Sequence, residues 1–315
     1  MKRTLTVLSP VYNEEQVIEV FCLELRNVLQ SLSDRYDSTI LFVVDRCTDR
    51  TLEILRHLAQ KDSQVRILAL SSRFGHQMSL MAGMDQCDSD AVIMMDSDLQ
   101  HPPALIPAML REFEKGFDIV FTIREDPPET GYFNKSASSF FYRMLNRISE
   151  VQIPEAAADF RLISNRVLKV FQNDIRETNQ FLRGLFQWVG FNVSSIHFKA
   201  DPRSAGKTKF NLRRRIQFGI HGILSFSKKP LQAAIALGFL FAGFGLLYAV
   251  VTFIQFFYLK SFPSGWTTLT ILISMFSGVQ LIFLGIVGQY IGAIFDEVKR
   301  RPPYIIEERI NFKDR

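Results

Sequence analysis

The stretch Ala91-Val92-Ile93-Met94-Met95-Asp96-Ser97-Asp98 joins an apolar run to two carboxylates separated by one residue. Such a run predicts a buried parallel strand, and open α/β sheets bind ligands beyond the carboxyl ends of their strands. Asp96 and Asp98 are therefore predicted to hold Mg²⁺ or Mn²⁺ carrying a phosphate, because these cations prefer oxygen ligands. The same spelling, Asp88-Ser89-Asp90, comes before the strand, so position on the sheet, rather than the tripeptide, selects Asp96 and Asp98.

The first 125 residues around this strand alternate between strand-like and helix-like patterns. This order predicts an α/β fold, with a doubly wound, mostly parallel sheet. Strands are predicted at 5–11, 39–45, 65–70, 91–95 and 118–123, and helices at 15–32, 49–60, 77–86 and 104–115.

The apolar residues of the 315-residue chain are unevenly placed, since residues 231–259 and 261–295 carry no charged side chain. Each run exceeds the ~20 residues that cross a bilayer, which predicts two transmembrane helices, at about 231–258 and 266–294, within a segment 230–295. Lys228-Lys229 and Lys299-Arg300-Arg301 flank this segment. The positive-inside rule therefore places the first domain, the tail at 296–315 and both termini in the cytoplasm.

The connector between the first domain and the membrane segment is basic, with nine Lys or Arg and one acid over residues 199–229. Ile216, Ile220 and Ile223 fall at helical spacing within it, which predicts an amphipathic helix at 211–229 lying in the membrane interface. A nucleic-acid patch is the alternative. The position directly before two spans favours anionic lipid, so no nucleic-acid partner is expected.

Small residues recur at four-residue spacing in both predicted spans: Ala234, Gly238 and Ala242, then Gly288 and Gly292. Such stripes allow close helix packing within the hairpin or between subunits, and a homo-oligomer, for example a tetramer, is expected. Neither span has an acid or base in its middle, which argues against an ion pathway.

Five segments of residues 9–210 together resemble the polyprenyl-phosphate glycosyltransferases, the branch of family 2 glycosyltransferases that includes dolichol-phosphate mannose synthase and the bactoprenol glucosyltransferases. The segments are Ser9-Pro10-Val11-Tyr12-Asn13-Glu14-Glu15, Phe74-Gly75-His76-Gln77, Asp96-Ser97-Asp98-Leu99-Gln100-His101-Pro102-Pro103, Asp159-Phe160-Arg161-Leu162 and Arg203-Ser204-Ala205-Gly206-Lys207-Thr208-Lys209-Phe210. The resemblance implies a GT-A catalytic domain at 1–210. It also implies inverting transfer of a hexose from a nucleotide sugar to a polyprenyl phosphate, with UDP-glucose the favoured donor. GDP-mannose and a UDP-linked aminopentose are alternative donors.

The resemblance and the strand ends together suggest roles for individual residues. Asp96, Asp98 and Gln100 are expected to hold the metal through three oxygens. The nucleotide sugar is expected to contact Pro10, Tyr12, Asn13, Glu14, Asp45, Gly75, Asp96 and Ser97. Asp45 ends the second predicted strand, where it could accept a hydrogen bond from the nucleotide; the alternative for it is a helix N-cap.

The acceptor side of the expected site centres on Asp159 and Arg161, which with Asp98 form the expected catalytic set. Asp159 is a candidate base, although the acceptor phosphate is already an anion, so that it could instead orient the sugar or acceptor. Arg124, Lys135, Arg203 and Lys207 are expected to bind the acceptor phosphate.

One segment departs from the family pattern. Val44-Asp45-Arg46-Cys47 stands where family members usually carry two acids, or Asn-Asp, followed by Gly-Ser. A non-catalytic membrane partner is therefore one alternative function. A processive polysaccharide synthase is another, but its Gln-x-x-Arg-Trp motif does not occur in the chain. A lipid flippase is a third alternative, but two spans fit this function poorly unless several subunits assemble.

Overall fold

A computed structural model describes residues 2–125, 157–178, 180–199, 229–259 and 265–312 of the chain. The predicted phosphate-binding residues Lys135, Arg203 and Lys207 lie outside these ranges, as does almost all of the predicted interfacial helix at 211–229. The elements in chain order are β1 (Arg3–Val11), α1 (Ile18–Ser31), β2 (Tyr36–Val44), α2 (Thr51–Lys61), β3 (Val65–Leu70), α3 (His76–Gln86), β4 (Ala91–Met94), α4 (Ile106–Glu114), β5 (Ile119–Glu125), β6 (Ala157–Ser164), α5 (Asn165–Asn173), α6 (Leu182–Trp188), β7 (Val193–Lys199), α7 (Lys229–Leu259), α8 (Trp266–Lys299) and β8 (Ile306–Ile310).

The strands form one sheet in the order β7-β5-β6-β4-β1-β2-β3-β8. Its centre is parallel, because β1 pairs with β2 and β4, and β2 pairs with β3, in the same direction. β5 and β7 are also parallel to each other, whereas β6 runs against β4 and β5, and β8 runs against β3. The predicted α/β class with a mostly parallel sheet is confirmed, and the two reversed strands make the sheet mixed.

Helices cover both faces of the sheet, so the central strands are apolar on both sides. Side chains of α1, α2 and α4 pack with one face, and side chains of α3, α5 and α6 pack with the other. All four residues of β4 are buried, which explains why this strand shows no alternation of apolar and polar residues. Met95 and Asp96 follow directly after its carboxyl end.

The reversed strand β6 positions residues that are distant in sequence. Its register against β4 places Arg161 opposite Met94, at the end of β4 from which Asp96 follows. Asp88-Ser89-Asp90 lies at the other end of β4, where Asp90 Oδ2 accepts hydrogen bonds from the Thr4 backbone N–H (2.7 Å) and hydroxyl (3.0 Å). The two identical tripeptides thus lie at opposite edges of the sheet.

The C-terminal segment belongs to the eight-stranded sheet, a feature that the division of the sequence into a domain and a separate tail at 296–315 missed. After α8 ends at Lys299, β8 pairs with the exposed edge of β3. Asn311 then fixes the chain end, because its Nδ2 donates to the carbonyls of Ala59 (2.7 Å) and Val65 (2.8 Å). The first and last parts of the α/β fold therefore flank the apolar helices in sequence.

The apolar helices α7 and α8 each contain a stretch long and apolar enough to cross a membrane, Lys229–Gln255 and Met275–Lys299. They contact each other, for example through Phe241 and Phe276, whose ring centroids are 5.6 Å apart. The glycines of the small-residue stripes do not mediate this contact. A Cβ added at Gly238, Gly288 or Gly292 would meet no atom within 4 Å, so packing of these stripes between subunits stays a prediction.

We predict that Asn311→Gly loosens the β8 edge while leaving the rest of the sheet intact. Asn311 has a φ of 61°, which glycine adopts readily, so the substitution removes mainly the side-chain hydrogen bonds. Their loss is expected to cost about 1–2 kcal/mol of local stability. Hydrogen exchange should become faster in 306–310 and unchanged in 91–94, and Glu24→Gln on the exposed face of α1 serves as the control. Equal protection of β8 in Asn311→Gly and the wild type would contradict this account.

Candidate active site

The candidate site lies at the carboxyl edge of the sheet, where β1, β2 and β4 end side by side. Backbone hydrogen bonds hold these ends together: the Met95 N–H donates to the Leu8 carbonyl (3.0 Å), and the Asp45 N–H donates to the Val11 carbonyl (3.0 Å). The polar residues that follow each strand are consequently brought to one edge. This is the edge at which open α/β sheets bind ligands.

Asp96 is held by two histidines. Its Oδ1 lies 2.7 Å from His76 Nε2 at the start of α3, and its backbone N–H donates to His101 Nδ1 (3.0 Å). Because Nδ1 of His101 accepts this bond, its ring proton lies on Nε2. The His101 ring is buried and stacks on Phe160 with centroids 5.2 Å apart. The core therefore fixes the backbone from which Asp96 projects.

The contact between Asp96 and His76 favours the charged form of both side chains. Burial raises the pKa of Asp96, but the adjacent His76 imidazolium lowers it by more, so this pKa lies below its ordinary value. Burial lowers the pKa of His76, and the Asp96 carboxylate raises it by more, so this pKa lies above its ordinary value. Asp96 is thus ionised at neutral pH, as its predicted role as an oxygen ligand requires.

Asp98 and Gln100 lie on a tight turn that begins at Asp96. Leu99 adopts a left-handed backbone with a φ of 62°, and Asp98 Oδ1 accepts a hydrogen bond from the Gln100 N–H (3.1 Å). Gln100 Oε1 in turn accepts from Arg124 Nη1 (3.2 Å). The turn therefore joins the predicted metal-binding residues to one predicted phosphate-binding residue.

The chemistry of these side chains fits a divalent cation. Among the residues that the structure describes, no group of three or more His, Cys, Asp or Glu side chains is arranged to enclose a metal ion. Asp96, Asp98 and Gln100 instead offer a small set of oxygens on one turn. Such a set suits Mg²⁺ or Mn²⁺ that takes its remaining ligands from phosphate oxygens and water.

The chain leaving β1 is fixed beside this turn. Pro10 lies within β1, and its carbonyl oxygen accepts a 3.5 Å hydrogen bond from the buried Ser97 hydroxyl. Asn13 has a φ of 56° and exchanges hydrogen bonds with Thr48, through Nδ2 (2.9 Å) and Oδ1 (2.8 Å).

Two further residues that are predicted to contact the nucleotide sugar, Tyr12 and Glu14, follow β1 in the chain. The backbone N–H of Glu14 donates to the Thr51 hydroxyl (2.9 Å). Tyr12 lies under the guanidinium of Arg73, which is 4.1 Å from the ring centroid. Such a cation–π contact holds the aromatic ring in place. The segment that follows β1 is therefore already fixed by contacts within the protein.

Asp45 has a structural role that the sequence did not reveal. Its buried carboxylate accepts hydrogen bonds from the backbone N–H groups of Phe74 (2.7 Å) and Gly75 (2.9 Å). Gly75 has a φ of 92°, a conformation that glycine adopts without steric cost. Asp45 therefore positions the loop that leads into His76, and it is not the N-cap of α2. Its predicted contact with the nucleotide stays a prediction.

Asp159 forms the second half of the site together with two arginines. Arg183 Nη2 donates to Asp159 Oδ2 (2.7 Å), and Arg183 Nε donates to Oδ1 (2.9 Å). Oδ1 also accepts from Arg161 Nη2 (2.8 Å). The bidentate geometry is the strongest form of an arginine–carboxylate contact. It keeps Asp159 ionised, since burial raises the pKa of Asp159 but Arg183 and Arg161 lower it by more, to well below its ordinary value.

Arg161 is almost fully buried, with 1% of its surface exposed. Its guanidinium carbon lies 4.7 Å from the ring centroid of Phe186 and 5.6 Å from that of Phe121. Burial lowers the pKa of Arg161 to about 10 although Asp159 raises it, and the side chain therefore stays charged at neutral pH. Phe160, between the two site residues, points into the core, so Asp159 and Arg161 share the opposite face of β6.

Sequence reasoning missed His76 and Arg183 as site residues. His76 stands in the segment Phe74-Gly75-His76-Gln77, from which only Gly75 was selected. A weak signal for Arg183 was present, because Gln180-Phe181-Leu182-Arg183 has the spacing of the first four positions of the Gln-x-x-Arg-Trp motif, with Gly184 replacing Trp. In the structure, Arg183 lies on α6 and contacts Asp159, which identifies it as a residue of the site.

Comparisons with known proteins agree with this geometry. The family model described as Glycosyl transferase family 2 matches residues 6–171. The Bacillus subtilis (strain 168) protein named "Uncharacterized glycosyltransferase YkcC" is 36% identical over 310 residues, which cover 98% of this chain and 95% of that protein. The Shigella flexneri protein named "SfII prophage-derived bactoprenol glucosyl transferase" is 36% identical over 304 residues, which cover 96% of this chain and 97% of that protein.

We predict that the residues of the Asp159 cluster contribute unequally to the stability of the fold. Asp159→Asn removes the carboxylate shared by two arginines, one of them buried, and should lower the free energy of unfolding by about 3–5 kcal/mol. Arg183→Gln leaves Asp159 in contact with Arg161 and should cost about 1–3 kcal/mol. Chemical denaturation of the purified full chain in detergent measures both values.

The control for this series is Arg50→Gln, since Arg50 forms an exposed ion pair with Glu53 at 3.1 Å. Removing an exposed pair should cost at most about 1 kcal/mol. If Asp159→Asn were no more destabilising than Arg50→Gln, the cluster would not have the structural importance assigned to it.

Proposed function

The chain belongs to glycosyltransferase family 2, and on that basis we propose that it transfers a hexose from a nucleotide sugar to a polyprenyl phosphate at the cytoplasmic face of a membrane. Glucose from UDP-glucose is the favoured donor, and undecaprenyl or dolichyl phosphate is the acceptor class. The observation that carries the proposal is the meeting of two groups at one sheet edge. These are the oxygen set of Asp96, Asp98 and Gln100 and the Asp159–Arg161–Arg183 cluster.

The donor half of the reaction is assigned to the oxygen set and to the residues beyond β1 and β2. When bound there, Mg²⁺ or Mn²⁺ would neutralise the departing nucleoside diphosphate. Tyr12, Asn13 and the Phe74–Gly75 loop border the space proposed for the nucleotide. Their hydrogen bonds and ring contact already fix them, which lowers the entropy cost of binding.

The acceptor half is assigned to Asp159, Arg161, Arg183 and Arg124. The acceptor phosphate is itself the nucleophile, and its oxygen attacks the anomeric carbon in line with the departing diphosphate. Asp159 is held ionised by two guanidinium groups, and a carboxylate with a pKa far below 7 is a weak proton acceptor. This favours an orienting role for Asp159 over that of a general base. The arginines would stabilise negative charge on the phosphates.

The proposed membrane arrangement follows from β8. Because β8 pairs with β3, the segment after α8 lies on the same side of a membrane as the catalytic domain, and the helix pair must enter and leave on that side. The basic flanks of the pair favour the cytoplasmic side. A glycosyltransferase held there would meet both a water-soluble donor and a lipid acceptor. Homo-oligomerisation through the helix faces is part of the proposal.

The names of similar proteins support glucose as the sugar. Bactoprenol glucosyl transferases of Shigella phages SfV and SfX are 36% and 34% identical to the chain, over 96% and 97% of its length. GDP-mannose remains the alternative donor, and a non-catalytic partner remains the alternative role. The altered turn at Arg46 is compatible with a folded site, since its Nη1 donates to the Ser71 carbonyl (2.6 Å).

The reaction is tested with the purified full chain in detergent, polyprenyl phosphate and labelled UDP-glucose, UDP-galactose, UDP-N-acetylglucosamine or GDP-mannose. We expect transfer from UDP-glucose that stops when EDTA is added and returns with Mg²⁺ or Mn²⁺. Selective transfer from GDP-mannose would instead identify a mannose synthase. Nucleotide binding without transfer from any donor would favour the non-catalytic partner.

The metal assignment has a matched control within the chain. We predict that Asp96→Asn or Asp98→Asn lowers the rate of transfer at least roughly 100-fold, the scale on which electrostatic stabilisation of a leaving group acts. Asp88→Asn alters the same tripeptide spelling at the opposite end of β4, where Asp88 contacts Lys169, and should retain the wild-type rate. Wild-type turnover in both Asp96 and Asp98 variants would refute the assignment.

A further inference from the structure

A second cavity, separate from the candidate active site, lies where α8 meets the catalytic domain. It has a volume of about 510 Å³ and is lined by residues from the segment after α5 and from the end of α8. Its lining includes Arg176, Gln180, Glu297, Val298, Arg300 and Arg301. Because α8 contains a predicted membrane span that ends at Lys299, the cavity lies at the level of lipid headgroups.

The cavity is basic. Arg300 and Arg301 follow α8, and within the described residues neither forms an ion pair. The other two charges are already engaged: Arg176 Nη1 lies 2.7 Å from Asp85 Oδ1, and Glu297 Oε2 accepts a hydrogen bond from the Thr178 N–H (2.8 Å). The Arg176–Asp85 pair is neutral, whereas Glu297 keeps its negative charge. Arg300 and Arg301 outnumber this one remaining carboxylate of the lining, so the cavity keeps a net positive charge that attracts an anion.

Gln180 adds a requirement for a hydrogen-bond donor. The residue is 8% exposed, and its Oε1 is buried and accepts no hydrogen bond from the part of the chain that the structure describes. A buried acceptor without a donor costs free energy, so a ligand that supplies a hydroxyl group would relieve this cost. The cavity thus combines positive charge with a position for a hydroxyl.

The outer side of the cavity is apolar. Ile291, Ile294 and Val298 are spaced along one side of α8 and are 60%, 62% and 73% exposed. This stripe leads along the helix to the cavity, as the acyl chain of a lipid would. A ligand with a charged head and an apolar tail matches both parts of the surface.

A phosphate in this cavity would not be placed to react. The proposed reaction needs Asp96, Asp98 and Asp159 beside the sugar. None of these three residues lines the cavity. The acceptor phosphate is therefore the less suitable occupant, and a structural membrane lipid is the more suitable one.

We propose that this cavity binds the headgroup of an anionic phospholipid that carries a hydroxyl group, with the phosphate at Arg300 and Arg301 and the hydroxyl at Gln180. Basic pockets at the cytoplasmic ends of membrane helices are suited to anionic headgroups. The proposal requires the helix pair to lie in a bilayer, but it does not depend on the transfer reaction. It therefore can fail or succeed separately from the proposed function.

The test is native mass spectrometry of the purified full chain in detergent, titrated separately with phosphatidylglycerol, phosphatidic acid and phosphatidylcholine. Phosphatidylglycerol should bind roughly tenfold or more tightly than phosphatidylcholine. R300Q/R301Q should lower the affinity for phosphatidylglycerol roughly tenfold or more, since each basic side chain contributes to headgroup attraction. Gln180→Leu should weaken phosphatidylglycerol binding and leave phosphatidic acid binding unchanged, because phosphatidic acid has no headgroup alcohol.

The control K61Q/R111Q removes two exposed charges from α2 and α4 and should leave lipid binding unchanged. R300K/R301K keeps the charge and should retain binding, which separates a lost contact from a damaged fold. The proposal is overturned if R300Q/R301Q binds phosphatidylglycerol like the wild type, or if the control variant weakens binding equally. It is also overturned if the cavity variants weaken binding of polyprenyl phosphate and leave phosphatidylglycerol unaffected.

Discussion

The antiparallel pairing of β4 with β6 is the constraint on which the site depends. It sets Arg161 opposite Met94, and so brings the carboxylates that follow β4 to the same edge as Asp159. Neither strand can slip by one residue, because a slip would exchange the faces of Phe160 and Arg161. The charged arginine would then lie among the apolar residues that pack around Phe160. The hydrophobic core therefore fixes the geometry of a polar site. A glycosyltransferase needs this coupling, since its donor and acceptor must meet within bonding distance.

The charges of the site are stabilised by one another. Asp96 is paired with His76, and Asp159 with two arginines, so that each acid stays ionised despite burial. Fixed charges of this kind need little rearrangement when negative charge moves from the sugar–phosphate bond to the leaving diphosphate. The same contacts favour the proposed orienting role of Asp159 over a role in proton transfer. Chemistry with a phosphate nucleophile is consistent with that role.

The C-terminal strand connects the catalytic fold with the apolar helix pair. β8 completes the sheet only after α7 and α8 have been made, so the last strand of the domain is held next to the end of α8. Asn311 strengthens this closure through hydrogen bonds to the chain around α2 and β3. The arrangement also creates the basic cavity beside Arg300, because the chain must turn there from an apolar helix into a sheet edge. The apolar helix pair and the catalytic domain thus share the boundary at which lipid recognition is proposed.

The sequence by itself determined the α/β class, the central parallel strands, the two apolar helices and the family. Continuous apolar runs such as 91–95 and charge-free runs such as 231–259 are local features of the chain, and they can be recognised in the sequence alone. Predicted strand 65–70 matches β3 at both ends, whereas helix ends elsewhere differ by a few residues. Only the tertiary structure decided that β6 and β8 run against their neighbours, that Asp45 holds the loop before His76, and that Arg183 completes the Asp159 cluster. These features join residues that are at least 24 positions apart in the sequence. Their contacts depend on how the sheet orders its strands, and no local pattern in the chain encodes that order.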